Sequence, residues 1–198
     1  MPRTPQQTRE SILEAAFQEI HAHGFQGMRV DEIIRLSGFK KGAFYHHFKS
    51  KAELGYAVME DKITPFLENL WIKPLSVMRN PIAELPTQLK DTFEQLPAKM
   101  AKYGCPLNNI AQEMSALDEF FRQLVNDLFN RWIDTLKDVF EQGKHDGYVR
   151  QNVDSHAVAC FVVASIEGSI SLYKTEHDHQ LWPDFLEQLS LYLQMLKA

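Results

Sequence analysis

Ser37-Gly38-Phe39-Lys40-Lys41-Gly42-Ala43-Phe44-Tyr45-His46-His47-Phe48-Lys49-Ser50-Lys51 reads as the end of one short helix, a tight glycine turn and a second short helix. Phe39, Phe44 and Phe48 mark the face of the second helix that packs inward. Lys41, Ala43, Tyr45, His46, His47 and Lys51 are left to face outward. A short helix fixed from behind, with hydrogen-bond donors in front, suits entry into the major groove of DNA.

Working outward, apolar residues recur at helical spacing almost throughout, and segments of period two are rare, so the chain reads as all-α with about nine helices. Thr4-Pro5-Gln6-Gln7 fits a capping box with proline at the first helical position, and Gly24 ends that first helix. A second helix is predicted over about 30–36 and a third over about 41–48. Ser50-Lys51-Ala52-Glu53 is a second capping box, opening a long helix toward Trp71. Pro74 to Pro81 reads as a break. A fifth helix follows, to about Lys102, with Pro86 and Pro97 as kink points. Gly104-Cys105-Pro106 separates two helices, and Asp118 is the expected cap of a helix ending before Gly143. An unusually apolar helix is predicted over 154–173 and a last one over 182–196.

Several of these features together resemble the DNA-binding domain of the tetracycline-repressor (TetR) family of bacterial regulators. They are Gly24-Phe25, Val30-Asp31-Glu32-Ile33-Ile34, Ser37-Gly38, Gly42-Ala43-Phe44-Tyr45-His46-His47-Phe48 and Ser50-Lys51-Ala52-Glu53-Leu54. The resemblance implies a helix-turn-helix domain over residues 1–51 and a helical ligand-binding and dimerisation domain over 52–198. It also implies a homodimeric repressor on double-stranded DNA, bound at a near-palindromic operator and released by a small molecule.

Candidate DNA contacts are Arg3, Arg29, Lys40, Lys41, Gly42, Ala43, Tyr45, His46, His47 and Lys51. Gly42 lets the backbone approach a phosphate at a helix start, and Lys51 is a candidate phosphate ligand across the groove. Tyr45 and His47 align with family residues that touch the phosphate backbone. Base reading falls to Lys41 and Ala43, with Lys40 and His46 beside them: lysine donates to guanine, and an alanine methyl packs on thymine. The family usually carries Ser or Thr where Arg29 and Lys40 stand. Neither basic side chain can accept a capping hydrogen bond, so each is either a phosphate contact or a solvated charge.

In the body, the resemblance places a ligand pocket among helices 4 to 7. Its candidate lining is Phe66, Trp71, Phe93, Met100, Tyr103, Met114, Phe120, Phe121 and Trp132. The same residues at helical spacing suit an ordinary core. Because they carry few charges, an apolar or aromatic inducer is expected. Helices 154–173 and 182–196 are the expected dimer surface, with Ser165, Gly168 and Ser169 allowing close approach. Gly104-Cys105-Pro106-Leu107-Asn108-Asn109-Ile110-Ala111-Gln112-Glu113 resembles a Gly-Cys-x-x-x-Asn-x-Ala-x-Glu segment of a TetR subgroup, some members of which sense electrophiles or oxidants. Cys105 at a helix N-cap is therefore a candidate redox sensor, with a buried structural cysteine as the alternative. Cys160 reads as core.

The 198 residues are 44% apolar, enough for one or two small domains. No stretch reads as the roughly 20 apolar residues that span a bilayer, and the N-terminus lacks the apolar run of a signal peptide, so a cytoplasmic protein with no membrane partner is expected. The net charge of −5 divides unevenly. Residues 1–51 hold eight Lys/Arg against five Asp/Glu, and the remainder thirteen against twenty-one. A basic head on an acidic body suits local phosphate contact, because screening limits reach to about 10 Å. It argues against a sequence-indifferent DNA-coating protein. No nucleophile elbow, phosphate loop or metal-ligand spacing is visible, so neither an enzyme nor a cofactor or metal site is expected.

Overall fold

The computed structural model describes residues 4–176, 178 and 180–198. The described residues are all-α, in nine helices: α1 Pro5–Gly27, α2 Val30–Ser37, α3 Lys41–His47, α4 over 51–76, α5 Pro81–Glu94, α6 Pro106–Met114, α7 Glu119–His145, α8 Ser155–Glu176 and α9 Leu181–Gln194. A short helical turn, Ala98–Tyr103, extends α5 beyond a break at 95–97. The described residues contain one isolated antiparallel bridge, Val149 with Lys197.

Local chemistry sets most of the helix ends. Thr4 Oγ1 accepts from the Gln7 amide, while the Gln7 side chain accepts from the Thr4 amide, which closes the predicted capping box. Ser50 Oγ accepts from the Glu53 amide, and Glu53 reaches back to the Lys49 amide. Asp118 Oδ1 accepts from the amides of Phe120 and Phe121 at 2.9 and 3.0 Å. The bond from Phe121, then one donated by the Tyr56 hydroxyl at 2.7 Å, and then that from Phe120 hold the Asp118 carboxyl below the usual range. Gly38 adopts φ 74°, the left-handed conformation that ends α2 and starts the turn into α3.

α4 departs from the sequence expectation. It runs past Pro74 to Ser76, and the break is confined to 77–80. The helix widens to i→i−5 bonding over Met59–Ile63 and again over Glu68–Ile72. Each widened turn lies just before a proline, Pro65 or Pro74. A proline ring clashes with the carbonyl four residues back, and slipping the bonding by one residue relieves that clash without ending the helix. α7 likewise continues through Gly143 to His145.

The chain packs as two compact units. One comprises the chain through Phe66 with Pro106–Asn126, and the other Leu67–Cys105 with Asp127–Ala198. In the first, Ile12, Leu13, Ile33, Phe44, Phe48, Leu54 and Phe121 are fully or almost fully buried. In the second, Trp132, Leu136, Phe140, Val162 and Ile166 form the centre. α8 corrects the expectation about spanning length. By length and composition it is apolar enough to cross a bilayer, yet half of that stretch is buried inside the protein, with Glu167 in its middle.

Candidate nucleic-acid interface and the aromatic body

In the first unit, α3 stands on Phe44 and Phe48, which are 1% and 2% exposed with ring centroids 6.1 Å apart. Phe39 is half-buried. That anchoring leaves Lys40, Lys41, Gly42, Tyr45 and His46 exposed, and Ala43 and His47 half-buried. Tyr45 packs edge-on against Phe44 at 5.2 Å, so its phenol is directed by the core beneath it. A Cβ at Gly42 would meet nothing within 4 Å, leaving the start of α3 open to a bulky anion. Burial, then the neighbouring His46, Arg9 and Lys49, lowers the pKa of His47, so its imidazole stays neutral at neutral pH.

Arg29, Lys41 and Tyr45 come together along a depression of about 600 Å³, where Arg35 joins them. Lys41 Nζ lies 3.4 Å from Asp31 Oδ1 in an exposed pair, too weakly held to keep the ammonium from a better anion. Arg29 is also exposed, although its partner is not. It precedes α2 without a side-chain cap, and its guanidinium is 3.6 Å from the buried carboxylate of Glu19. Lys40 also makes no cap bond. Lys51 is turned differently from the sequence expectation: its ammonium donates to the carbonyls of Gln26 at 2.8 Å and Met28 at 3.1 Å. One of its three protons is left for a phosphate. Arg3 lies outside the described residues. Sequence reasoning missed Arg35 and Lys49; Lys49 Nζ binds the carbonyls of Tyr45 and His46 at the end of α3. Their charge was visible, but their placement was not.

The candidate pocket residues divide between the units. Phe66 meets Phe17, Phe120 meets Tyr56, and Phe121 fills the space between Phe25 and Tyr56, all in the first unit, which also holds the buried Met114. In the second unit, Trp71 and Trp132 stack at 5.2 Å and Phe93 packs edge-on to Trp71 at 6.1 Å. Met100 is buried and Tyr103 half-buried. Phe93 continues the chain of rings by stacking on Trp182 at 4.2 Å, and Trp182 stacks on Tyr173 at 4.7 Å. These last three rings, with Lys90, Leu96 and Leu186, line an open cavity of about 720 Å³. Tyr173 and Trp182 were missed because each falls at a helix end, outside any apolar stripe. The indole Nε1 atoms of Trp71 and Trp132 are buried without a hydrogen-bond partner.

Cys105 directly precedes α6 and is 2% exposed. Beside it in the second unit is Glu167, itself 6% exposed, whose carboxyl oxygens lack a well-formed hydrogen bond. Burial pushes the Glu167 carboxyl up to about 7, and weak donation from the Cys105 thiol offsets part of that. Cys160 is half-exposed, with its sulfur 3.5 Å from His156 Nε2, which corrects its assignment to the core. On α8 and α9, Phe161, Leu172 and Leu191 are 48–56% exposed, and Met195, just past α9, is 69% exposed. Phe161, Gly168, Leu172, Phe185, Leu189 and Tyr192 line an apolar groove of about 490 Å³ there.

Residues 12–58 match the model of the tetR family of bacterial regulatory proteins, and residues 82–189 match that of the tetracyclin repressor-like C-terminal domain. The chain is 33% identical over 174 residues to an HTH-type transcriptional regulator in the lacX 3′ region of Lactococcus lactis, covering 86% of this chain and 85% of that one. It is 26% identical to the HTH-type transcriptional repressor DhaR of Mycobacterium sp., covering 94% and 91%. A solved TetR transcriptional regulator from Chloroflexus aurantiacus has the same fold, with a TM-score of 0.86 at 23% identity over 98% and 97% of the two chains.

Proposed function

Because the chain belongs to the TetR family of bacterial regulators, we propose that it is a homodimeric, cytoplasmic repressor that binds a near-palindromic operator and is released by a small apolar or aromatic inducer. The observation that carries this reading is the outward face of α3: Lys41, Gly42, Tyr45 and His46 exposed above a fully buried Phe44 and Phe48. Residues 1–51 are the DNA-binding domain and 52–198 the ligand-binding and dimerisation domain. Phosphate contacts come from Tyr45, the Gly42 amide, Arg29, Lys40 and the remaining proton of Lys51. They set register without reading sequence. Lys41 and Ala43 read bases.

The apolar groove on α8 and α9 is the surface for a second copy, because exposed rings and leucines at this density are poorly tolerated by water. Two heads then meet successive major grooves, roughly 34 Å apart. The inducer occupies the open cavity of about 720 Å³ in the body, where Phe93, Tyr173 and Trp182 offer flat apolar faces. Replacing Lys41 by Ala is expected to relax base preference at one position in each half-site, by about 1–3 kcal/mol of discrimination. Selection from randomised duplexes measures this, and an unchanged preference profile would remove the base-reading role.

A second reading is favoured by one observation, the buried Cys105 thiol beside an elevated carboxyl. In this reading the ionised fraction of Glu167 takes the thiol proton as the sulfur adds to the β-carbon of an α,β-unsaturated electrophile; the C=C π pair moves to an enolate, which is then protonated, and the adduct, too large for its buried site, forces release from DNA. Cys105→Ser is expected to bind DNA normally and to resist release by an alkylating agent. Release that persists in Cys105→Ser would exclude a sensing role for this thiol.

A further inference from the structure

The turn between α1 and α2 is held from two sides by side chains that come from outside it. α1 leaves helical geometry at Gly24, where φ is 76° and ψ 169°. That break frees the amides of Phe25 and Gln26 from the helical ladder. Both are taken by one carboxylate: Glu113 Oε2 accepts from the Phe25 amide and Oε1 from the Gln26 amide, each at 2.7 Å. On the opposite side Lys51 Nζ donates to the carbonyls of Gln26 and Met28 and lies 5.3 Å from the Phe25 ring. The Gln26 residue is thus gripped at its N–H by an anion and at its carbonyl by a cation. Arg29, the residue before α2, follows directly, with its own amide on Glu19 at 3.3 Å.

Glu113 belongs to the last turn of α6, 88 residues away from Phe25 in sequence. Its approach is close enough to constrain composition. A Cβ on Gly24 would fall 2.7 Å from Glu113 Oε2, in a backbone conformation that already disfavours any other residue. Charge-assisted bonds of this length are short-range and directional. A shift of α6 along or about its axis by even one ångström therefore breaks or re-aims them. The turn they hold sets where α2 begins, and α2 carries α3 through the Gly38 turn.

We propose that Glu113 is the positioning residue through which α6 sets the α1–α2 turn, and with it the presentation of α3 to DNA. The proposal rests on the DNA-binding reading above. It separates two jobs within the segment Gly104-Cys105-Pro106-Leu107-Asn108-Asn109-Ile110-Ala111-Gln112-Glu113: whatever acts on the body enters at one end of α6, and the head is held at the other. Coupling of this kind is reciprocal. If α6 biases the head, DNA on the head must bias α6.

Hydrogen exchange on the full-length protein tests this, with and without a double-stranded oligonucleotide at low salt, where phosphate contacts alone suffice for binding. In the wild type, DNA should slow exchange in α3, in the amides of Phe25 and Gln26, and in α6. Glu113→Gln keeps the side chain's shape but presents a donor to one of the two amides. It should retain protection of α3, lose the response of α6, and bind DNA about tenfold more weakly. Gly24→Ala attacks the same contact from the other side and should also abolish the α6 response. A merely structural Glu113 would lower the unfolding temperature in the variant while the α6 response to DNA persisted, and that result would overturn the proposal. So would wild-type protein that protects α3 on DNA and leaves α6 unchanged. Wild-type protein that shows no protection of α3 at all would instead remove the DNA-binding reading, and this link with it.

Discussion

Unfolding measured across pH is expected to show the protein losing about 3 kcal/mol of stability through Glu167 alone as pH rises from about 4.5 to about 7. The carboxyl is buried in the middle of an apolar helix, and no good donor reaches it. Its folded pKa is therefore raised above its unfolded value. A raised acid is neutral in the folded state over a range where the unfolded chain has already ionised, so the folded state binds the extra proton. Its contribution is complete below the unfolded pKa, and ionisation in the unfolded chain erodes it until the folded pKa is passed. Glu167→Gln removes the ionisation. Denaturant unfolding of the variant should give a flatter profile and a more stable protein than wild type above about pH 8. Parallel profiles for the two proteins would mean that Glu167 is not held neutral by burial. The same group links stability to the body's chemistry, because any ligand or adduct that donates a hydrogen bond to Glu167 would lower its pKa and recover part of this energy.

Trp132 should separate packing from polar satisfaction. It is 1% exposed and stacked on Trp71. Truncation to Ala is expected to cost about 3–5 kcal/mol, since it removes a large buried surface and leaves a cavity that the stacked ring cannot fill. Trp132→Phe should cost much less. It keeps an aromatic face for Trp71 and deletes an N–H that has no partner, and burying such a group without a bond is itself unfavourable. Equilibrium unfolding of both variants decides this. Equal losses for Phe and Ala would show that the indole N–H is bonded after all.

How much of this was legible in the sequence follows from the range of the interactions involved. Thr4 with Gln7, Ser50 with Glu53, Asp118 with Phe121 and the left-handed Gly38 are all local devices, decided within four residues, and each could be read directly. So could the inward Phe44 and Phe48, because helical spacing alone puts them on one face. Pro74 misled the reading of where α4 ends. A proline normally marks a break, but here a widened turn just before it lets the helix continue. The carbonyls of Gln26 and Met28 that Lys51 also holds were not legible, because they carry no side-chain signature. Phe120 and Phe121 looked like pocket residues by type. Their neighbours Tyr56 and Phe25 lie more than 60 residues away, and only the fold places them in the first unit. Glu113 was visible in the sequence only as the last residue of the subgroup segment, and Glu167 as an ordinary acid. Their meaning comes from what surrounds them, two freed amides in one case and an apolar interior in the other.

The most direct test of the central claim is a fluorescence-anisotropy titration of the purified protein against DNA from upstream of its own gene and against a scrambled duplex, at two salt concentrations. The account predicts saturable binding to the upstream DNA, tighter than to the scrambled duplex by at least about a thousandfold, and weakening as salt displaces the phosphate contacts. Equal affinity for both duplexes at both salt concentrations would contradict it.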